Sequence, residues 1–201
     1  MSSIKSQNLK RRSIIKTASA LALPTFMPKN VFGANEKKIN IILERLSNEI
    51  LENHFETKNS VLIGIQPRGI ELCKRLYHNL KKLNKDVQMG KLDISFYRDD
   101  FRRSDKIITP SNMDLNISLE NKNVILVDDV LFTGRTVRSA FEALLSFGRP
   151  KKIELLVFVD RRFCRELPIQ ADYVGLEVDT LENEKVFVKF SQTDKSVYLT
   201  S

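Results

Sequence analysis

Asn123-Val124-Ile125-Leu126-Val127-Asp128-Asp129-Val130-Leu131-Phe132-Thr133-Gly134-Arg135-Thr136 is the stretch from which the fold can be read. Its first apolar run, Val124 to Val127, is mostly β-branched and predicts a buried strand. Two adjacent carboxylates, Asp128 and Asp129, stand where that strand is expected to end, in a solvent-facing position. A short loop through Thr133, Gly134 and Thr136 follows. Beyond it Val137, Ala140, Phe141, Leu144 and Leu145 keep the spacing of an amphipathic helix. Gly148 and Pro150 then stop that helix.

This order of parts carries chemistry. In open α/β sheets ligands bind beyond the carboxyl ends of the strands, and a helix N-terminus attracts anions. Backbone N–H groups and hydroxyls from Thr133 to Thr136 can surround a phosphate, and Gly134 lets the backbone come close. Asp128 and Asp129 can accept charge-assisted hydrogen bonds from sugar hydroxyls. A phosphate grip beside a diol grip describes a ribose 5-phosphate site. Helix capping is the competing reading, but it uses one carboxylate and leaves the pair and the loop unexplained.

The stretch resembles the phosphoribosyl-pyrophosphate (PRPP) motif of the type I phosphoribosyltransferases. The run Val127 to Arg138 is similar to one group among them, the PyrR family of pyrimidine-operon attenuators and uracil phosphoribosyltransferases. Arg165-Glu166-Leu167-Pro168-Ile169-Gln170-Ala171-Asp172-Tyr173-Val174-Gly175 resembles the same family. The likeness spans roughly residues 31 to 200. It implies an α/β fold of the type I phosphoribosyltransferase kind, a mostly parallel twisted sheet with helices on both faces and a small hood.

Composition bounds the rest. A chain of 201 residues with 42% hydrophobic content fits one domain with a full core. No apolar run is long enough to cross a bilayer. Cys73 and Cys164 are too few for a disulfide framework, which suits a reducing compartment. His54 and His78 lack any metal-ligand spacing and read as surface or packing residues. Six of the basic residues, Lys5, Lys10, Arg11, Arg12, Lys16 and Lys29, fall in residues 1–30, which hold no acids. The net charge of +8 therefore leaves a nearly neutral body of 27 basic and 25 acidic residues. That is weak support for a nucleic-acid surface.

Two domains of unequal kind follow: a basic N-terminal extension over 1–30 and a phosphoribosyltransferase domain over 31–201. Arg11-Arg12-Ser13-Ile14-Ile15-Lys16 resembles a twin-arginine export signal, against which a plain basic tail or an upstream mis-start competes. Ile39, Ile42, Leu43, Leu46 and Ile50 predict a first helix over 36–53. Val61 to Ile65 reads as a buried strand, and a helix through Cys73, Leu76, Tyr77 and Leu80 follows. The loop between them, Gln66-Pro67-Arg68-Gly69, repeats the strand–loop–helix form. Arg68 beside Gly69 brings a fixed charge and open backbone donors to a second anion. Leu92 to Phe96 alternates weakly before Arg98 and a long polar segment through Met113, which reads as a lid or a disordered stretch, the resemblance implying a lid. Ile153 to Val159 is another buried strand, ending in Asp160-Arg161-Arg162. Four βα units plus this strand are expected, with short hood strands at 186–190 and 197–200.

The resemblance implies roles. Leu131 to Thr136 (Leu131, Phe132, Thr133, Gly134, Arg135, Thr136) would hold the 5-phosphate, Asp128 and Asp129 the ribose, and Pro67, Arg68 and Gly69 the pyrophosphate. Arg98 would contact substrate and complete the catalytic group. Backbone groups near Val159 and Asp160 would recognise the base, and Arg165 is a candidate RNA contact. Mg²⁺ would be bound largely through substrate oxygens, with Asp128 and Asp129 as its protein ligands. The implied reaction takes uracil and PRPP to UMP and pyrophosphate. The alternative from the same family is a UMP-sensing attenuator that binds RNA, and a different base such as hypoxanthine or orotate is a third reading. The chain departs from the attenuator pattern: Arg162-Phe163-Cys164 lacks the family's histidine, and Glu44, Asn48, Gln170 and Leu176 replace residues usual there. The enzyme reading is therefore favoured. A homodimer or larger assembly is implied, no membrane span is expected, and an intact PRPP site argues for the cytoplasm despite Arg11-Arg12.

Overall fold

The computed structural model describes residues 29–30, 36–54, 57–83, 86–97, 117–180, 184–190 and 195–200. The twin-arginine-like stretch, Arg98 and the expected lid through Met113 lie outside the described residues.

Three apolar runs make the centre of a five-stranded parallel sheet. These are β2 (Ser60–Ile65), β4 (Asn123–Leu131) and β5 (Lys152–Arg161), joined by β3 (Gln88–Leu92) and β6 (Tyr173–Val178) at the edges. The order is β3-β2-β4-β5-β6, every pair parallel. Alternation divides the strands between two cores. Leu62, Ile125 and Val127 face α1 (Glu36–Asn53) and α2 (Gly69–Lys82), whose Ile39, Leu46, Ile50, Leu72, Cys73 and Leu76 are buried. Val61, Ile63, Val124 and Leu126 face α3 (Arg135–Leu145), with its Val137, Ala140 and Leu144. Helices thus cover both faces, as a parallel sheet requires.

A three-stranded antiparallel hood stands apart, in the order β1-β8-β7, from β1 (Lys29–Asn30), β7 (Lys185–Phe190) and β8 (Lys195–Thr200). Phe190 meets Phe158 of β5 edge-on, with centroids 5.1 Å apart, and the Arg75 guanidinium donates to the Phe190 carbonyl. Together they tie the hood to the sheet. Lys29 and Asn30, read from the sequence as part of the extension, pair with Leu199 and Tyr198 and so join the folded body.

Three expectations change. The alternation at Leu92 to Phe96 is not a strand. β3 ends at Leu92, and the Asp93 carboxylate then accepts the Ser95 N–H at 2.8 Å and its hydroxyl at 2.6 Å, turning the chain into a 3₁₀ turn at Ser95–Tyr97. Among the described residues only α2 and α3 connect parallel strands, instead of four βα units, because α1 precedes the sheet and residues 162–172 link β5 to β6 as a loop. Finally, β4 runs through both carboxylates to Leu131, since Val130 and Leu131 extend its apolar pairing with β5.

At the N-terminal ends of the strands lies a buried polar cluster. His54 Nε2 sits 2.5 Å from Glu154 Oε2, Ser60 Oγ lies 3.1 Å from His54 Nδ1, and Lys152 pairs with the same carboxylate. His54 is thus a packing residue with partners on two strands. Burial opposes ionisation of Glu154, yet the hydrogen bond from Lys152 and the charge of His54 hold its carboxyl below the ordinary range. At the sheet edge, Arg45 of α1 donates to the carbonyls of Val174 and Gly175 in β6, at 2.8 and 2.9 Å.

Candidate active site

Sheet order fixes where the site can be. The chain begins in β2, steps outward to β3, then returns past β2 to β4, so its direction reverses between two neighbouring strands. The loops leaving β2 and β4 lead to helices on opposite faces and leave a crevice at their carboxyl ends. Gln66 to Gly69 leaves β2, and Phe132 to Gly134 leaves β4. Both sequence-predicted loops therefore meet at one place. Their approach is close: a Cβ on Gly69 would fall 2.3 Å from the Val127 carbonyl oxygen and 3.1 Å from the Asp128 Cα. Only glycine lets α2 begin against the backbone of β4.

The crevice is a cleft of about 570 Å³, walled by Pro67, Arg68, Asp128, Asp129 and Thr136 and roofed from the hood by Lys185 to Phe187. Asp128 and Asp129 are 6% and 5% exposed. The solvent-facing position expected for them is corrected here. Their strand continues for two more apolar residues, so the carboxyls are carried below the rim. Burial raises the Asp128 carboxyl well above the ordinary range, and the neighbouring Asp129 charge adds to the effect, while the Asp129 N–H (2.9 Å) and Arg68 oppose it. Burial likewise raises Asp129, against the pull of Arg68. Asp129 Oδ2 is buried with no hydrogen-bond partner. Buried polar atoms are nearly always satisfied, so an orphan oxygen in a cleft marks a place for a ligand. Hydroxyl donors or a divalent cation suit it; among the described residues no cluster of three or more acidic, His or Cys side chains offers a protein-only cage.

The second loop opens onto the N-terminus of α3, where anions are favoured. Gly134 precedes α3 at φ +93°, a conformation that favours glycine, and a Cβ there would press on Ile169 at 3.2 Å and Leu167 at 3.3 Å. The Thr133 carbonyl accepts N–H groups from Glu166 and Leu167, both at 3.1 Å. Thr136 lines the cleft. Arg135 is exposed and pairs with Glu166 at 2.6 Å, while Leu131 is buried in the α3-side core.

A family model, the phosphoribosyl transferase domain, matches residues 34–194. The chain is 46% identical over 157 residues to the "Bifunctional protein PyrR" of Desulfosudis oleivorans, which covers 78% of this chain and 87% of that one. A second protein of the same name, from Caldicellulosiruptor bescii, is 45% identical and covers 83% and 90%. The chain belongs to the PyrR family. Through it the chain falls in the type I phosphoribosyltransferase superfamily, and solved folds agree. A Trypanosoma cruzi hypoxanthine phosphoribosyltransferase in a ternary substrates complex superposes with TM-score 0.68 at 21% identity, over 88% of this chain and 96% of that one. A Bacillus anthracis hypoxanthine-guanine phosphoribosyltransferase gives 0.60 at 21%, over 76% and 84%. At such identity the likeness shows the fold alone.

Within this PyrR-family cleft, some expected residues meet and others do not. Pro67, Arg68, Asp128, Asp129, Phe132 and Thr136 share it. The side chains of Val159, fully buried in the core, and of Asp160, paired with Arg165, do not line the cleft, while the contact expected of these two residues is through their backbone groups. The physical reason is that β5 keeps pairing with β4 through Asp160, which holds both residues inside the sheet. Arg165 is engaged within the chain, donating to the Phe132 carbonyl and to Asp160. Sequence reasoning missed Arg161, Lys185 and Phe187. Arg161 is 4% exposed, donates to Thr180 Oγ1 at 2.7 Å and stacks its guanidinium 3.9 Å from the Phe132 ring centre. Its place after a buried strand in the Asp160-Arg161-Arg162 run was the available signal. Phe187 lies beneath Arg68 at 5.2 Å, a contact between loop and hood that no local pattern announces.

Proposed function

We propose that this PyrR-family enzyme transfers the phosphoribosyl group of PRPP to uracil, forming UMP and releasing pyrophosphate. The observation that carries the reading is the buried Asp128–Asp129 pair, one oxygen unsatisfied, between two anion-ready loops. A bound PRPP has a 5-phosphate for Thr133 to Thr136, vicinal hydroxyls for the two carboxylates and a pyrophosphate for Pro67 to Gly69. Bond breaking at C1 builds positive charge on the ribose, and the carboxylate pair beneath it favours that charge. Arg68 offers its fixed charge to the leaving pyrophosphate. Mg²⁺, held by Asp128 and Asp129 together with substrate oxygens, would neutralise the pyrophosphate. The base enters under the hood, where Val186 and Phe187 give one apolar wall.

The test is pyrophosphate release from PRPP that needs both uracil and Mg²⁺, run beside guanine, hypoxanthine and orotate. Release with uracil alone among the bases is expected; release with a purine or orotate alone would sink the assignment. A second role, RNA-dependent attenuation sensed through UMP, is favoured by one observation, the word "Bifunctional" in the relatives' names. Arg165, the candidate RNA contact, is already engaged within the chain, so the enzyme stands first. Among the described residues no helix is long and apolar enough to cross a membrane. A cytoplasmic location follows from the need for PRPP, and a mature N-terminus near Asn35 in an exported fraction would overturn it. The family resemblance implies a homodimer or larger assembly, which light scattering checks.

A further inference from the structure

An anion-binding loop has a problem that its ligand does not solve. If its N–H groups are aimed at a phosphate, its carbonyls point elsewhere and are best held there by donors of their own. Here the donors come from one short segment after β5. The Arg165 guanidinium donates to the Phe132 carbonyl. The N–H groups of Glu166 and Leu167 both donate to the Thr133 carbonyl, at 3.1 Å. Asp160, at the end of β5, pairs with the same guanidinium and fixes its direction. Arg161 holds the other side of Phe132 by stacking on its ring at 3.9 Å. The Arg135–Glu166 pair, at 2.6 Å, joins the far end of the loop to the same segment.

We infer that Arg165 is a positioning residue for the 5-phosphate loop. It turns the Phe132 carbonyl outward, so that the N–H groups that follow are left for the anion. The inference rests on the phosphoribosyltransferase reading and adds a role for a residue that does not line the cleft. Asp160 acts one step further back, by holding Arg165. A single guanidinium serves both partners because its donors are arranged as a fixed fork; a lysine ammonium on a flexible stem does not reproduce that arrangement.

The experiment is calorimetric titration of ribose 5-phosphate and, separately, of pyrophosphate, each with Mg²⁺, into wild type, Arg165→Met and Arg165→Lys. Wild type is expected to bind both. Arg165→Met should weaken ribose 5-phosphate about tenfold, the scale set by one lost hydrogen bond to a charged group. Pyrophosphate, held by the other loop, should change less than twofold. Arg165→Lys should fall between. In steady state the KM for PRPP should rise more than kcat falls. Unchanged ribose 5-phosphate affinity in Arg165→Met overturns the inference, as does an equal loss for both ligands, which would mark general damage. If Arg165→Met does not fold, Arg165→Lys decides alone by the same criteria. A wild-type protein that binds pyrophosphate but not ribose 5-phosphate or PRPP overturns the functional reading itself and the inference with it.

Discussion

Gly69→Ala tests how closely the two loops must meet. The added Cβ would lie 2.3 Å from the Val127 carbonyl oxygen, 3.1 Å from Asp128 Cα and 3.2 Å from Val127 C. Comfortable carbon–oxygen contact begins near ~3.3 Å, so roughly 1 Å of separation must open. The obstacle is the backbone of a central strand paired on both sides, which cannot yield as a side chain would. The start of α2 must therefore move, carrying Pro67 and Arg68 away from Asp128 and Asp129. Overpacking of this kind costs about 1–3 kcal/mol of stability, and a displacement of ~1 Å in a site costs on the order of a hundredfold in rate. The assay is initial-rate pyrophosphate release at 25 °C over a range of PRPP, with a melting curve on the same samples. Gly175→Ala is the control: its Cβ would fall 2.5 Å from the Phe158 carbonyl oxygen, a comparable clash outside the cleft. It should lower the melting temperature while keeping kcat within about threefold, since no cleft residue sits beside it. A Gly69→Ala enzyme with kcat/KM within threefold of wild type would refute the argument that this approach sets the site's geometry.

Asp128→Asn should reduce turnover by at least about a hundredfold, by analogy with the loss of one preorganised electrostatic partner. It should also stabilise the unliganded protein. A carboxyl with a raised folded pKa favours folding below its unfolded pKa and loses that contribution as pH rises through the folded one; the variant's gain in melting temperature should thus be larger at pH 8 than at pH 5. Glu154→Gln should cost about 1–3 kcal/mol near neutral pH through the lost partners of His54 and Lys152. The Glu154 pKa is depressed, so its contribution is present above the unfolded pKa and fades as pH falls through the folded one. The gap between wild type and variant, read from denaturant curves, should close towards acid pH. Deleting residues 1–28 should leave rate and melting temperature unchanged. Deleting through Asn30 removes β1 from the hood and should lower stability measurably in the same assays.

Much of this was legible in the chain because burial writes a plain pattern. Val61 to Ile65, Val124 to Val127 and Ile153 to Val159 lie inside a two-faced sheet, so they read as unbroken apolar runs, and the helices followed from their spacing. The two loops were legible because each joins such a strand to such a helix around a glycine. The failures share a cause, which is that local pattern is silent about long-range pairing. β3 is an edge strand whose Gly90 and Leu92 alone are buried, so its alternation is faint. The depth of Asp128 and Asp129 depends on β4 pairing with β5 beyond them. Val130 and Leu131 carried that hint, but the carboxylates were read as a terminus. Lys185 and Phe187 reach the cleft only because β7 folds back over it, and β1, two residues long, has no pattern to find.

Arg45 has a consequence beyond α1. An edge strand offers unpaired carbonyls and N–H groups to any extended chain that drifts past, which is how sheets grow into aggregates. β6 is such an edge, yet its Val174 and Gly175 carbonyls are already taken by a guanidinium reaching across from the helix. An incoming strand would have to strip away a charged, doubly bonded donor before it could form its first rung. This stretch of the border is blocked by a side chain, without the sheet being closed into a barrel. Pairing of copies edge to edge across β6 is therefore opposed at this point, and replacing Arg45 would remove the obstacle.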